Sequence, residues 1–253
     1  MTMPQRTHRE TVDVVARACR ILGKLELTHA ALGHVSYRLG DSETMLIKGK
    51  GPGEVGLRYT RPQDIVQVDF HAEMVSGPAD LQPPSESFLH IWLYRKNPHV
   101  RSVIHVHPEH AVLLTICDKP ILPIYGSFGG LVREAIEGIP TYPRSVRISD
   151  DRLGEEFATC MGSKQVALMR GHGVSVVGSS VEDATVRTIE LNQLVTMTYK
   201  AYLLGTPRAI PDDDIQTYLQ PVDADAPRPR GSAGGDAGTL ATWRYYSSLA
   251  GED

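Results

Sequence analysis

Apolar residues recur along this chain with two different periods, and the switches between them mark out its elements. In "THRETVDVVARACRILGKLEL", Val12, Val15, Ala16, Cys19 and Leu22 fall at helical spacing with polar residues between them. That spacing predicts an amphipathic helix over about residues 8–24, with Gly23 as its stop signal. "HVSYRL" and "TMLIKGK" change to a period of two around the turn-rich "GDSE", which predicts a hairpin. A glycine-rich loop, "KGKGPGEVG", leads to a further strand, "DIVQVDF". "SESFLHIWLYRKN" reads as a buried helix with Ser85 as its N-cap, "VRSVIHVHP" as a strand ended by a proline, and "EHAVLLTIC" as a helix.

"ILPIYG" and "GIPTYP" are short extended pieces interrupted by proline. "DDRLGEEFATCM" is a helix, and "QVALMRGHGVSVVG" is two strands broken by glycines. "SVEDATVRTIELNQLVTMTYKAYLLG" is a long helix opening on Ser180 and Asp183 in capping-box spacing. Helices and strands interleaved in this way predict an α/β domain with helices covering a central sheet. Residues 223–240 are rich in Gly, Ala, Pro and Asp and read as a linker, ahead of the aromatic "ATWRYYSSLAGED". The expected organisation is one domain over 1–215, then a flexible linker and an aromatic tail over 216–253 that docks on its own chain or a neighbour's.

Composition narrows the function classes. A chain of 253 residues, 41% hydrophobic and 22% charged, can bury a full core without disulfide or metal staples. A net charge of −4 gives no electrostatic footprint for nucleic acid, although a local cationic cleft can still take a small anion. Cys19, Cys117 and Cys160 are far apart and form no Cys-x-x-Cys, so they are expected to be buried free thiols in a reducing compartment. No apolar leader core is present near residue 1, and no stretch approaches the ~18 apolar residues of a membrane span. The expectation is a soluble, cytoplasmic protein with no membrane or nucleic-acid partner.

Histidines carry the candidate chemistry. "SVIHVHPEHA" holds His105, His107 and His110. On a strand, residues two apart face the same side, so His105 and His107 project together. Two half-buried histidines bonded to backbone would look the same, so the pair alone does not decide for a metal. In "LMRGHGVSVVG", His172 sits between glycines at a strand end and can complete a three-histidine set with an open position, which suits catalysis. Glu86 falls at the first turn of a helix, where it is a dipole-compensating acid, a general acid/base beside the metal or an additional ligand to it. His8, His29, His71, His90 and His99 have no partner at ligand spacing, and His110 reads as a helix-surface residue.

"GHVSYR" at 33–38, Pro-Ser-Glu at 84–86, the spaced His-x-His of 105–107 and a later glycine-flanked His172 occur in that order. Together they resemble the class II aldolase/adducin family over about residues 10–215. The resemblance implies a three-layer αβα fold with a mostly antiparallel central sheet. It matches His105, His107 and His172 to metal ligands for a divalent ion, zinc first, with manganese, iron or cobalt as alternatives. It matches Glu86 to the acid/base glutamate. It also implies a homotetramer with active sites between subunits and the C-terminal tail close to a site.

Such a site stabilises an enolate-like intermediate, which leaves the reaction open among retro-aldol cleavage, epimerisation and decarboxylation. The family's sugar-phosphate aldolases cradle phosphate with Gly-Asn-x-Ser and Ser-Ser-Glu. Here those positions read Gly33-His34-Val35-Ser36 and Pro84-Ser85-Glu86, a pattern more similar to the family's decarboxylases of hydroxylated aromatic acids such as 3,4-dihydroxyphthalate. His34, Ser36, Ser85 and one of Lys48 and Lys50 are expected to hold a substrate carboxylate, with Tyr125 a further lining residue. The alternatives are an aldolase or epimerase acting on a sugar phosphate or hydroxy-keto acid, and a non-catalytic interaction protein of the adducin kind.

Overall fold

The structure is a computed structural model that describes residues 6–124, 131–219 and 236–252. Tyr125 lies outside the described residues. Helix α1 (His8–Lys24) opens on a capping box in which Thr7 and Glu10 exchange bonds with each other's backbone. Gly23 is not its stop but part of it. A Cβ there would lie 2.3 Å from the backbone nitrogen of Arg58, so the glycine lets the segment at 57–59 press against the helix.

Strands β1 (His34–Arg38), β2 (Thr44–Lys48), β3 (Ile65–Asp69) and β4 (Met74–Ser76) follow, then α2 (Ser87–Lys96), β5 (Ser102–Val106) and α3 (Glu109–Ile116). After them come α4 (Val132–Glu137), β6 (Thr141–Tyr142), α5 (Asp151–Met161), β7 (Val166–Met169), β8 (Gly173–Gly178), α6 (Val181–Leu204), α7 (Asp212–Leu219) and α8 (Asp236–Leu249). Asp150 caps α5 and Ser180 caps α6 through their side chains. Ser85 does not cap α2. That helix starts two residues later, and the hydroxyl of Ser87 donates to the carbonyl of Pro84 instead.

The eight strands form one sheet in the order β4-β3-β2-β1-β5-β8-β7-β6, antiparallel throughout except for the β6–β7 pair. Alternate residues sort onto two cores. Ile47, Val66, Val103, Met169 and Val177 meet Leu89 and Tyr94 of α2 and Phe157 of α5 on one face. Val35, Leu46, Ile104, Val174 and Val176 meet α1, α3 and α6 on the other. The fold is thus a three-layer αβα arrangement around a mostly antiparallel sheet.

The tail docks on its own chain. Trp243 of α8 is buried in the core shared with α1 and α6. Glu252 accepts a bidentate pair from Arg20, at 2.7 and 2.5 Å, and faces Lys24 at 3.3 Å. The helix begins at Asp236, inside the stretch expected to be linker; residues 223–235 lie outside the described residues. Of the three cysteines, all free, only Cys19 is fully buried. Cys160 is partly covered and Cys117 is exposed, against expectation, because it ends α3 at the rim of the layer. No helix among the described residues is long and apolar enough to cross a membrane.

Candidate metal centre

Register brings the histidines together. His34 of β1 lies opposite His105 of β5, which lies opposite Ser175 of β8, all on the face under α2. His107, two residues past His105, keeps to that face, with ring centroids 4.7 Å apart. His172 arrives on the tight turn joining β7 to β8, its ring 5.0 Å from that of His105 and 5.3 Å from that of His107. Gly171 takes φ +61° within that turn. A Cβ on Gly173 would sit 2.4 Å from the carbonyl oxygen of Val106 and 2.9 Å from the ring of His107. Gly173→Ala should therefore push β8 off β5 beside a candidate ligand. We expect a loss of about 1–3 kcal/mol in stability, read by thermal melting, together with weaker metal binding.

Glu86 closes the cluster. It occupies the N-cap position of α2 but makes no capping bond. Its Oε1 accepts from the backbone N–H of Ile148 at 3.1 Å and faces Nε2 of His172 at 3.6 Å, while Oε2 faces Nε2 of His105 at 3.6 Å. One ligand atom each from Glu86, His105, His107 and His172 lies within 4.8 Å of the others.

These donors fit a divalent ion. Nδ1 of His105 donates to the carbonyl of Val174 at 3.0 Å, so its Nε2 carries the lone pair, and that Nε2 is buried with no hydrogen-bond partner. Nδ1 of His107 meets the Thr28 hydroxyl at 3.0 Å, which orients that ring in turn. Burial holds His105 well below the usual histidine range, with His172 and His90 adding to it. Burial, then His105 and His172, pushes His107 down to about 3. Both are neutral near pH 7, the state a metal ligand requires.

The predicted substrate residues divide. His34 is buried and stacks on His105, centroids 5.6 Å apart. Lys50 extends from the end of β2, where its backbone bridges to Gln82, and its amine meets the carbonyl of Ala31 and Glu54. Burial lowers its pKa, while Glu86 raises it and Arg147 lowers it, so both charges lie in its field. Arg147 is exposed beside Ile148, whose N–H holds Glu86; it was not foreseen from the sequence.

The other three residues expected to bind substrate are placed apart from these. Lys48 follows Leu46 onto the opposite face, beneath α1, where it is buried and ion-paired with Glu54. Ser36 is fully buried, its hydroxyl 2.7 Å from both Nδ1 of His90 and the hydroxyl of Tyr94. Ser85 is exposed in the turn ahead of α2. His110, as expected, stays apart: it bonds Thr196 at 3.0 Å and stacks on Tyr199. Lys48→Met should lower the melting temperature while leaving affinity for a small dicarboxylate such as phthalate unchanged, whereas Lys50→Met should weaken that affinity; binding titrations beside melting curves separate the two.

The chain belongs to the family described as Class II Aldolase and Adducin N-terminal domain, which matches residues 13–199. Among its relatives, a 3,4-dihydroxyphthalate decarboxylase of Arthrobacter keyseri is 32% identical over 247 residues, covering 94% of this chain and 93% of that protein. Another protein of that name, from Terrabacter sp. (strain DBF63), is 35% identical over 208 residues, covering 80% of this chain and 86% of its own. An aldolase II superfamily protein from Pseudomonas syringae has the same fold, with a TM-score of 0.81 at 18% identity over 98% of this chain and 94% of that one.

Proposed function

We propose that this chain is a metal-dependent decarboxylase of a hydroxylated aromatic dicarboxylate, such as a dihydroxyphthalate. The observation that carries the reading is the convergence of three imidazoles and one carboxylate, in a chain similar to a dihydroxyphthalate decarboxylase over nearly its whole length. His105, His107 and His172 hold the ion, zinc being the first candidate by donor type. The chemistry such an ion supplies when bound is Lewis acidity, which draws electron density from the ring carbon that loses its carboxylate.

The protein's own groups do the rest. Lys50 and Arg147 give the open side of the cluster a positive field that attracts a dicarboxylate. His34 fixes one carboxylate against the ring of His105. As the C–C bond to the departing carboxylate breaks, its electron pair stays on the ring carbon and carbon dioxide leaves. The proton held at an Oε atom of Glu86 then passes to that carbon, and solvent reprotonates the carboxylate. The Ile148 N–H keeps the group aimed during both transfers. Assembly into a homotetramer is part of the proposal, supported by Leu203 and Leu204, 68% and 92% exposed at the end of α6.

The test is to offer the protein, supplied with divalent metal, 3,4-dihydroxyphthalate and, separately, ketose phosphates. Carbon dioxide from the first alone is the expected result. Aldehyde release from a ketose phosphate, with no carbon dioxide from the dicarboxylate, would replace this reading with an aldolase.

A further inference from the structure

Behind the metal centre runs a chain of polar groups that the site as described does not use. Tyr94 and His90, four residues apart on α2, both point into the sheet and are fully buried. The Tyr94 hydroxyl lies 2.7 Å from Oγ of Ser36, and that Oγ lies 2.7 Å from Nδ1 of His90. Nε2 of His90 lies 3.4 Å from Nδ1 of His34, the rings nearly edge to face at 67°. His34 then stacks on the candidate ligand His105. The bond to His90 engages only Nδ1 of His34, a residue that keeps 3% of its surface exposed.

The direction of the protons along this chain decides what His34 offers the site. Burial pushes His90 down to about 3, so that ring carries a single N–H, and whichever role Nδ1 of His34 takes towards it sets the opposite role for Nε2 of His34. Two orders are then possible. In one, Tyr94 donates to Ser36, Ser36 to Nδ1 of His90, and Nε2–H of His90 to Nδ1 of His34, which leaves Nε2 of His34 as a donor. In the other, Nδ1–H of His90 donates to Ser36, whose hydroxyl turns to Tyr94 or to the carbonyl of Val103 at 3.4 Å, and Nε2 of His34 becomes an acceptor.

Geometry favours the first order. A separation of 2.7 Å at Nδ1 of His90 is ordinary for a hydroxyl donor but short for N–H to oxygen, whose usual value is about 2.9–3.0 Å. The reverse order also leaves one hydroxyl with a long bond to a carbonyl, either Tyr94 to Arg101 at 3.5 Å or Ser36 to Val103 at 3.4 Å, where O–H to oxygen is usually about 2.7–2.8 Å.

We propose that Tyr94, Ser36 and His90 are positioning residues that fix the tautomer of His34, so that its Nε2–H is presented as a donor to a carboxylate oxygen of the substrate. The inference rests on the carboxylate reading of the site, and it makes His34 a selector for anionic, hydrogen-bond-accepting substrates.

Nitrogen-15 NMR of histidine-labelled protein tests it without substrate. His90 and His34, assigned with His90→Gln and His34→Asn variants, should each show a protonated Nε2 and a bare Nδ1. A protonated Nδ1 on His90 would overturn the proposal, whatever the enzyme turns out to cleave. Kinetics on the dicarboxylate adds a second arm. Ser36→Ala and His90→Leu should raise KM about 10-fold or more with metal content unchanged, the scale of one hydrogen bond to a charged group. His90→Gln, whose amide N–H can replace Nε2–H, should recover most of that loss. Equal KM for the Leu and Gln variants, each following its melting temperature, would reduce His90 to a packing residue. Failure of all dicarboxylate turnover beside the expected tautomers would sink the carboxylate reading and leave the relay standing.

Discussion

Glu86→Gln should lower kcat by about 10²–10⁴-fold, the usual share of a positioned general acid/base, while the protein still takes up its metal. The amide keeps the size of the side chain and an oxygen to accept the Ile148 N–H at the same place. What it loses is an exchangeable acidic proton and a negative charge 3.6 Å from two ring nitrogens. These losses separate by measurement. An acid/base role falls on kcat, with metal affinity reduced by no more than the roughly 10–100-fold of an outer-shell partner. A ligand role falls on the metal first. Titrating metal into the variant beside its steady-state kinetics distinguishes them, and normal turnover would remove Glu86 from the chemistry.

The second large effect is expected from His105→Ala. Its Nδ1–H is tied to the carbonyl of Val174, so the ring is fixed and Nε2 has one direction in which to offer its lone pair. Removing it should cost far more than an outer-shell partner would. Metal content should fall from about one ion per chain towards none, and activity with it. Ligation also stabilises the folded state, by about 2.7 kcal/mol when the ion is at a hundred times its dissociation constant. Added metal should therefore raise the melting temperature of the wild-type protein and leave that of His105→Ala unmoved. The comparison is made within each protein, so the cavity left by the ring does not confuse it.

Much of this centre is legible in the sequence because strand parity is a local property. His105 and His107 share a face whatever the rest of the chain does, and the glycines around His172 announce a turn tight enough to return a third imidazole. The capped helices α5 and α6 are equally local. What could not be read depends on register and on which helix face meets the sheet. Lys48 and His34 are separated by the β1–β2 register, in which Ser36 faces Ile47; that pairing sends Lys48 to the α1 side. His90 and Tyr94 sit in "SFLHIWLY", an apolar helix with no polar stripe, where a histidine reads as incidental. Their value appears only when α2 is laid over Ser36. The Ile148 N–H that holds Glu86 comes from a loop sixty-two residues away, a contact no spacing rule supplies.

The central claim is that Glu86, His105, His107 and His172 form a metal-dependent decarboxylation centre. The most direct measurement is carbon dioxide release from carboxyl-labelled 3,4-dihydroxyphthalate by chelator-stripped protein, before and after one equivalent of divalent metal is returned. The account predicts no release from the stripped protein and restored release on reloading, with one solvent proton found at the ring carbon that lost its carboxylate. Undiminished release by the stripped protein, or none after reloading, would contradict it.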